Sequence, residues 1–428
     1  MNVIKEVVKQ NRCIGCGVCA PLCPANVLDM KLSSFANFTP ILSEGCIKGC
    51  DICLKVCPFY DKELEENELT KKLYQNTANI KFDEDLGYFL NGYEFYNKDE
   101  KERLKSASGG AGSYVLKKLL EQNLVDKIIC VKSCRGSNSK GFNESDFLFE
   151  FGVFDSLDDN SRSSAYYPLN LQEVLDYVLK NDFKYAITAL PCFAKALRLA
   201  MSKSARLKNR IKFIIGLVCG QNKSANFTQK LANIAFDKKD IKLKSVNFRY
   251  KFADKNAMQF GFKFSKNDDE IAFDDRNKSA FKWWSSRAFT PFACNNCIDT
   301  FAKCADVVLM DAWLEDKIAD YRGHSLVLVR SSIIDEIFKT SDEFCKSIDK
   351  SLILRSQAGV MANKKFVYYG SKNIIKKRIL ALKLEIQKYS NEHFDCDEFV
   401  EKRVKKIEKF AKMDAKFETA KYLFKKYF

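Results

Sequence analysis

Arg12–Pro24 reads RCIGCGVCAPLCP, and Gly45–Pro58 reads GCIKGCDICLKVCP. In the first stretch Cys13, Cys16, Cys19 and Cys23 stand at C-x2-C-x2-C-x3-C-P. In the second, Cys46, Cys50, Cys53 and Cys57 stand at C-x3-C-x2-C-x3-C-P. A cube of iron and sulfide needs four thiolates converging from several directions. A tight triple of cysteines wraps three corners, and the fourth, before proline, serves the other cube. The spacing therefore predicts two [4Fe-4S] clusters, one on Cys13, Cys16, Cys19 and Cys57, the other on Cys46, Cys50, Cys53 and Cys23. Paired zinc sites would use two C-x2-C pairs separated by a longer loop. A disulfide framework would need an oxidising compartment.

Outward from this stretch, the chain of 428 residues is long enough for two or three cores. Its 46% hydrophobic and 29% charged content is that of a globular protein. Only two histidines accompany 17 cysteines, which speaks against a His-rich zinc site or a Ser–His–Asp hydrolase. The odd cysteine count and the polar start at Met1–Arg12 point to a reducing, cytoplasmic setting. Residues 1–62 are too few for a large core, so the clusters must hold that module together. A charged run, Asp61–Lys72, reads as a linker or short helix.

From about Gly87, apolar runs alternate with helical periodicity. Strands are expected at Lys127–Val131, Tyr185–Leu190 and Lys212–Cys219, with helices at Tyr114–Asn123, Leu171–Asn181, from Phe193, and near Asn226–Ala235. That alternation predicts an α/β sheet with parallel pairs. Lys244–Phe273 reads as antiparallel β, and Ala305–Met310 and Ser325–Val329 as two further strands. Another cysteine trio, Cys294, Cys297 and Cys304, offers three corners of a further cube. Cys219 and Cys192, each ending an apolar run, are the candidates for its fourth ligand. Cys130, Cys134, Cys345 and Cys396 lack partners at ligand spacing and read as small buried hydrophobes or free thiols.

Taken in order, these pieces resemble the coenzyme F-420 hydrogenase/dehydrogenase beta-subunit family over roughly residues 10–335. The resemblance rests on the paired ferredoxin motifs, SGG at Ser108–Gly110, LVDKIICV, SSAYYPLN at Ser163–Asn170 and LPC at Leu190–Cys192. It continues through GLVCG at Gly216–Gly220, the C-x2-C-x6-C trio followed by ADVVLMDAW, and GHSLVLVRS around His324. It implies an N-terminal bacterial-ferredoxin-like module (1–62) and a central α/β flavin-binding domain with a mixed sheet (80–335); beyond its reach, composition reads 364–428 as a C-terminal helical tail. It also implies FAD and a third cluster on Cys219, Cys294, Cys297 and Cys304. The flavin region maps onto Ser108, Gly109, Gly110 and Gly112, with Tyr166, Pro191 and Cys192 beside it. Two departures, GLVCGQ and MDAW at Met310–Trp313, bear on the substrate pocket and leave the thiolates intact.

Glycines at 109, 110 and 112 let a backbone approach a ligand, and the following helix start would face an anion such as a pyrophosphate. Neither a G-x-G-x-x-G nor a Walker motif is present. A flavin beside a cluster exchanges two-electron chemistry for single electrons. The resulting expectation is an iron–sulfur flavoprotein oxidoreductase that takes electrons from ferredoxin or another redox protein and serves a small-molecule substrate or hydride-carrying coenzyme. An electron-transfer subunit feeding a partner enzyme, or a non-enzymatic redox sensor or scaffold, are its rivals. His324 and Asp311 are the catalytic candidates, each with a structural alternative, and Trp283 and Trp284 read as packing. The tail carries 18 basic against 9 acidic residues, more than half of the net +16. It lacks a nucleic-acid-binding motif, and its helical apolar spacing suggests a contact with a partner or a membrane surface.

Overall fold

The computed structural model describes residues 1–60, 66–134, 147–157, 164–266, 269–273 and 279–427. Ser163, the first residue of the SSAYYPLN segment, and Asp61–Glu65, the first part of the charged run after the second cysteine group, lie outside them.

The N-terminal module places its cysteines in loops around little regular structure. A helical turn at Ile4–Val8 precedes the first group, and an antiparallel hairpin, β1 (Leu28–Leu32) with β2 (Phe38–Leu42), separates the two groups. Within the first loop Gly15 has φ +76°, and a Cβ there would lie 2.4 Å from the Phe38 carbonyl oxygen. The left-handed backbone and the close approach both require glycine. A short helix, Ile52–Lys55, carries Cys53 and leads into Cys57.

The main body is built on one eight-stranded sheet. After the small hairpin β3 (Lys81–Asp83) and β4 (Gly87–Phe89), its strands are β5 (Asn91–Tyr96), β6 (Lys127–Ser133), β7 (Phe149–Phe154), β8 (Tyr185–Ala189), β9 (Ile211–Leu217), β13 (Val307–Asp311), β14 (Ser325–Val329) and β15 (Phe344–Ile348). Their order is β15-β5-β14-β13-β9-β8-β6-β7. The centre, β13-β9-β8-β6, is parallel, as the alternation with helices predicts, and both flanks are antiparallel. Strand β8, YAITA, is buried at four of its five positions, as a strand covered on both faces must be. One face packs against the N-terminal module and the helices Gln172–Lys180 and Pro191–Lys203. The other packs against the helices Ala111–Glu121 and Ser332–Lys339.

Lys244–Phe273 forms the expected antiparallel unit, a separate three-stranded sheet of β10 (Ser245–Tyr250), β11 (Gly261–Lys266) and β12 (Asp269–Phe273). Beyond 335 the sheet gains β15, followed by helices Lys350–Ser356 and Ala358–Tyr369, so the chain past that point still builds the main body. The helical tail also finds cover within its own chain. Ile386, Cys396 and Val400 are buried in the third core, alongside Phe248, Phe264 and Trp283. Gln387 and Asn391 donate hydrogen bonds to the Thr290 carbonyl, at 3.0 and 2.9 Å. The apolar stripe of Ile374–Glu392 is thus partly used here, since burial stabilises by roughly 25 cal/mol per Å² wherever a matching face is available. Among the described residues no helix is long and apolar enough to cross a membrane.

Candidate metal centres

In the first cysteine set, the charges acting on Cys16 come from Cys57 and Cys13, and those on Cys19 from Cys16, Cys13, Cys57 and Cys53. Cys57, brought back by the helix Ile52–Lys55, therefore faces the first triple. The charges acting on Cys53 come from Cys23, Cys50 and Cys46. The fourth cysteine of each motif has crossed to the other group. Burial pushes the Cys57 thiol up to about 12, with Cys13 and Cys53 adding to it against opposing backbone hydrogen bonds. Two of the four thiols of the first set are buried and two half-buried, and a metal group bound by them would draw off their protons and share their charge. The Gly15 N–H donates to Cys13 Sγ at 3.4 Å, as a thiolate ligand favours. Among the described residues, no three His, Cys, Asp or Glu side chains are arranged to hold a single metal ion. A cube, with one thiolate on each of four irons, holds its cysteines further apart than one ion does.

A third set forms at the carboxyl ends of the central parallel strands. Strands β8 and β9 are neighbours, with Ala189 opposite Gly216. The residues just beyond them, Cys192 and Cys219, are therefore adjacent. The turn Phe292–Asn296 brings Cys294 and Cys297 to the same place. All four cysteines line one narrow cleft, together with Ile14 and Phe59 of the N-terminal module and Lys364. The charges on Cys192 come from Cys297, Cys219 and Cys294, and also from Cys16 of the first set. Cys192 sits in the first turn of the helix Pro191–Lys203, where aligned peptide dipoles favour a thiolate. The Asn222 N–H donates to Cys294 Sγ at 3.4 Å, and Lys364 Nζ to Cys297 Sγ at 3.1 Å. Burial pushes Cys219 up to about 12, and Lys364 opposes that rise.

Cys304, expected as a ligand beside Cys294 and Cys297, is not among the residues that line this cleft. The Asp299 carboxylate accepts the N–H groups of Phe301 and Lys303, each at 2.9 Å, and curls the segment between. That turn carries Cys304 into the core ahead of β13, fully buried. The charges felt there are those of Glu66, Asp299, Arg198 and Lys195, and no cysteine is among them. Cys192, expected beside a flavin or as the alternative to Cys219, lines the cleft with Cys219, Cys294 and Cys297, and Pro191 lines it too.

The other expected flavin residues lie in a neighbouring locality. Ser108 Oγ donates to the His324 carbonyl at 2.6 Å, and the Gly109 N–H to Ser325 Oγ at 3.0 Å. A Cβ at Gly109 would stand 2.5 Å from the Phe95 carbonyl oxygen, so this glycine lets the loop pack on the sheet. Gly110, at φ +95°, caps the helix Ala111–Glu121 without a side-chain acceptor, leaving N–H groups of that first turn for an anion; Gly112 lies within it. Arg249 pairs with both Asp311 oxygens, at 3.0 and 2.5 Å, and donates to the Ala107 carbonyl at 2.9 Å. It lies over the rings of Phe260 and Trp313 and interacts with Tyr166. Lys251 Nζ donates to the Ser108 carbonyl at 3.0 Å, and burial, followed by Arg249 and Arg103, lowers this amine to about 7. Tyr166 meets Trp284 edge-on at 5.0 Å, and the Trp284 carbonyl accepts from Gln221 of the cysteine cleft at 2.8 Å.

The two catalytic candidates are both engaged in pairs. His324 Nδ1 is 2.8 Å from Glu94 Oε1, which Lys317 also pairs at 2.9 Å, and Asp311 is held by Arg249. Trp283 is fully buried and stacked on Phe289. Sequence reasoning missed Arg249, Lys251, Asn222 and Lys364. Nothing in VNFRYK or ANKKF distinguishes their cations from surface ones.

Three family models match the chain. The C-terminal model of the coenzyme F420 hydrogenase/dehydrogenase beta subunit covers residues 182–346 and its N-terminal model residues 93–176. A 4Fe-4S dicluster domain covers residues 12–60. No curated protein matches the sequence. Among solved structures it is similar to a chain of the F420-reducing [NiFe] hydrogenase complex from Methanosarcina barkeri, at 15% identity and a TM-score of 0.48. That match spans 70% of this chain and 95% of the other.

Proposed function

We propose that this chain, which belongs to the coenzyme F420 hydrogenase/dehydrogenase beta-subunit family and carries a 4Fe-4S dicluster domain, relays electrons through three cubes to a flavin-dependent hydride exchange with a deazaflavin or similar carrier. The ligand sets are Cys13, Cys16, Cys19 and Cys57; Cys23, Cys46, Cys50 and Cys53; and Cys192, Cys219, Cys294 and Cys297. One observation carries the reading. Cys16 of the first set lies close enough to Cys192 of the third to contribute to its charge environment. The Leu171 N–H donates to the Cys16 carbonyl at 2.9 Å, which ties the first cysteine loop to the main body.

Entry is assigned to the second set, because Glu44–Gly49 is exposed and Cys46 with it. A ferredoxin or a partner subunit would meet the protein there. The third set is more enclosed, which keeps water from the transfer path. For FAD, the uncapped first turn at Gly110–Gly112 and the cations of Arg249 and Lys251 suit a diphosphate. Tyr166 and Trp284 bridge from this locality to the cysteine cleft. When bound, FAD supplies the exchange between a two-electron hydride and the single electrons that cubes accept. Arg249 and Lys251 would orient it through charge, and Asp311 would hold Arg249 in place.

The test is anaerobic purification of the full chain with iron, sulfide and flavin quantitation. Oxidation of reduced deazaflavin, NADH and NADPH is then followed with a one-electron acceptor. About twelve irons per chain, bound flavin and acceptor reduction by at least one carrier are expected. Bound clusters without flavin and without turnover would leave only the electron-transfer subunit. Protein with about eight irons would remove the third ligand set.

A further inference from the structure

Lys364 is an unusual lysine. It belongs to the helix Ala358–Tyr369, past the last residue matched by the family models, yet it is only 5% exposed. Its ammonium donates to Cys297 Sγ at 3.1 Å and to the Asp299 carbonyl oxygen. Among the described residues no carboxylate oxygen lies within ion-pair distance of it. The nearby Asp299 carboxylate is taken up by the N–H groups of Phe301 and Lys303. A buried ammonium without a paired carboxylate is costly unless another negative charge faces it. Here the negative charges that act on it are first those of the Cys297 and Cys219 sulfurs and then that of Asp299.

The surroundings differ from those of the N-terminal sets. The strongest charges felt by Cys16, Cys19, Cys53 and Cys57 are those of other cysteines alone. At the third set, Lys364 acts on Cys219 and Cys297. Reduction adds one electron to a cube, making it more negative by one charge. A fixed cation and an N–H···S bond both favour that form, and in a low-dielectric cleft the attraction is strong.

We propose that Lys364 is a positioning residue for the third cluster, holding a buried positive charge against Cys297 that raises the cluster's reduction potential above those of the two N-terminal clusters. The third cluster is then the electron sink of the three, and the stretch Ala358–Tyr369 is part of the redox machinery. This rests on the assignment of Cys192, Cys219, Cys294 and Cys297 as cluster ligands.

The experiment compares the full-length protein with Lys364→Met and Lys364→Arg in anaerobic redox titrations followed by electron paramagnetic resonance. In Lys364→Met, the reduced-to-oxidised ratio of the third cluster at a fixed potential falls at least tenfold, equal to about 59 mV for one electron. The two N-terminal clusters stay where they are. Lys364→Arg, which keeps the charge, remains within about threefold of the natural protein. A third-cluster potential unmoved in Lys364→Met, or lowered equally in Lys364→Arg, overturns the proposal. Loss of the third cluster from the Met variant but not the Arg variant supports it, and loss from both overturns it. Natural protein with only two clusters would instead overturn the ligand assignment, an outcome the iron count separates from the others.

Discussion

Cys192 lines the cleft with Cys219, Cys294 and Cys297 while Cys304 stands apart, and a pair of substitutions tests whether the third cluster follows that grouping. Cys192→Ala removes one of four sulfurs around the cleft at the ends of β8 and β9. Three remaining thiolates do not complete a cube, so about four of about twelve irons should be lost, and with them roughly a third of the visible absorbance. Binding energy at such a site is also folding energy, so unfolding should come at lower denaturant as well. Cys304→Ala removes one sulfur from a fully buried position. The cost is that of deleting a small buried group, roughly 1 kcal/mol, and no iron leaves. Anaerobic iron and acid-labile sulfide assays on both variants, with urea titrations alongside, read both quantities. If Cys304→Ala fell to about eight irons while Cys192→Ala kept about twelve, the convergence at the strand ends would not be the ligand set.

The crossing of the fourth cysteines can be checked separately. Cys57→Ala should remove the same paramagnetic signal as Cys13→Ala, whereas Cys23→Ala should remove the one lost with Cys53→Ala; pairing within each motif would invert this. Arg249→Met leaves the partly buried Asp311 carboxylate unpaired, so thermal or urea unfolding should show a loss of about 3 kcal/mol, and flavin content should fall while iron content holds. Glu94 supplies a pH test. Burial raises its pKa, but His324 and Lys317 outweigh that and hold it below the ordinary carboxylate range. Because the unfolded chain takes up this proton first, the stabilisation is present above about pH 4.3. It is lost as the pH falls through the depressed value. The urea midpoint of Glu94→Gln should therefore approach that of the natural protein on acidification, and a gap that widens would refute the pairing.

Much of this protein is written in local pattern. Cysteine spacing in Arg12–Pro24 and Gly45–Pro58 identifies the cluster-binding module, because the loop around a cube is a local object. Apolar runs such as Tyr185–Leu190 and Lys212–Cys219 locate strands β8 and β9 to within about two residues, because a strand buried on both faces can hold little else. Strands β5, β7 and β15 escaped notice: GYEF, FEFG and FCKS mix polar and apolar residues, and only their sheet neighbours decide their state.

What the sequence determined by itself was chemistry that depends on neighbours along the chain: thiolate-rich loops, an α/β alternation and a glycine turn before a helix. The tertiary structure alone decided which sulfurs meet. Cys192 and Cys219 are joined because β8 and β9 lie side by side in parallel, a long-range choice of the sheet. Cys304 stands apart from them because the Asp299 carboxylate caps a turn that sends it inward. Lys364 reaches Cys297 across 67 residues, carried by a helix whose sequence shows only another lysine in a basic tail. Adjacency in a sheet and burial of a charge are properties of the packed whole, and no local spacing encodes them.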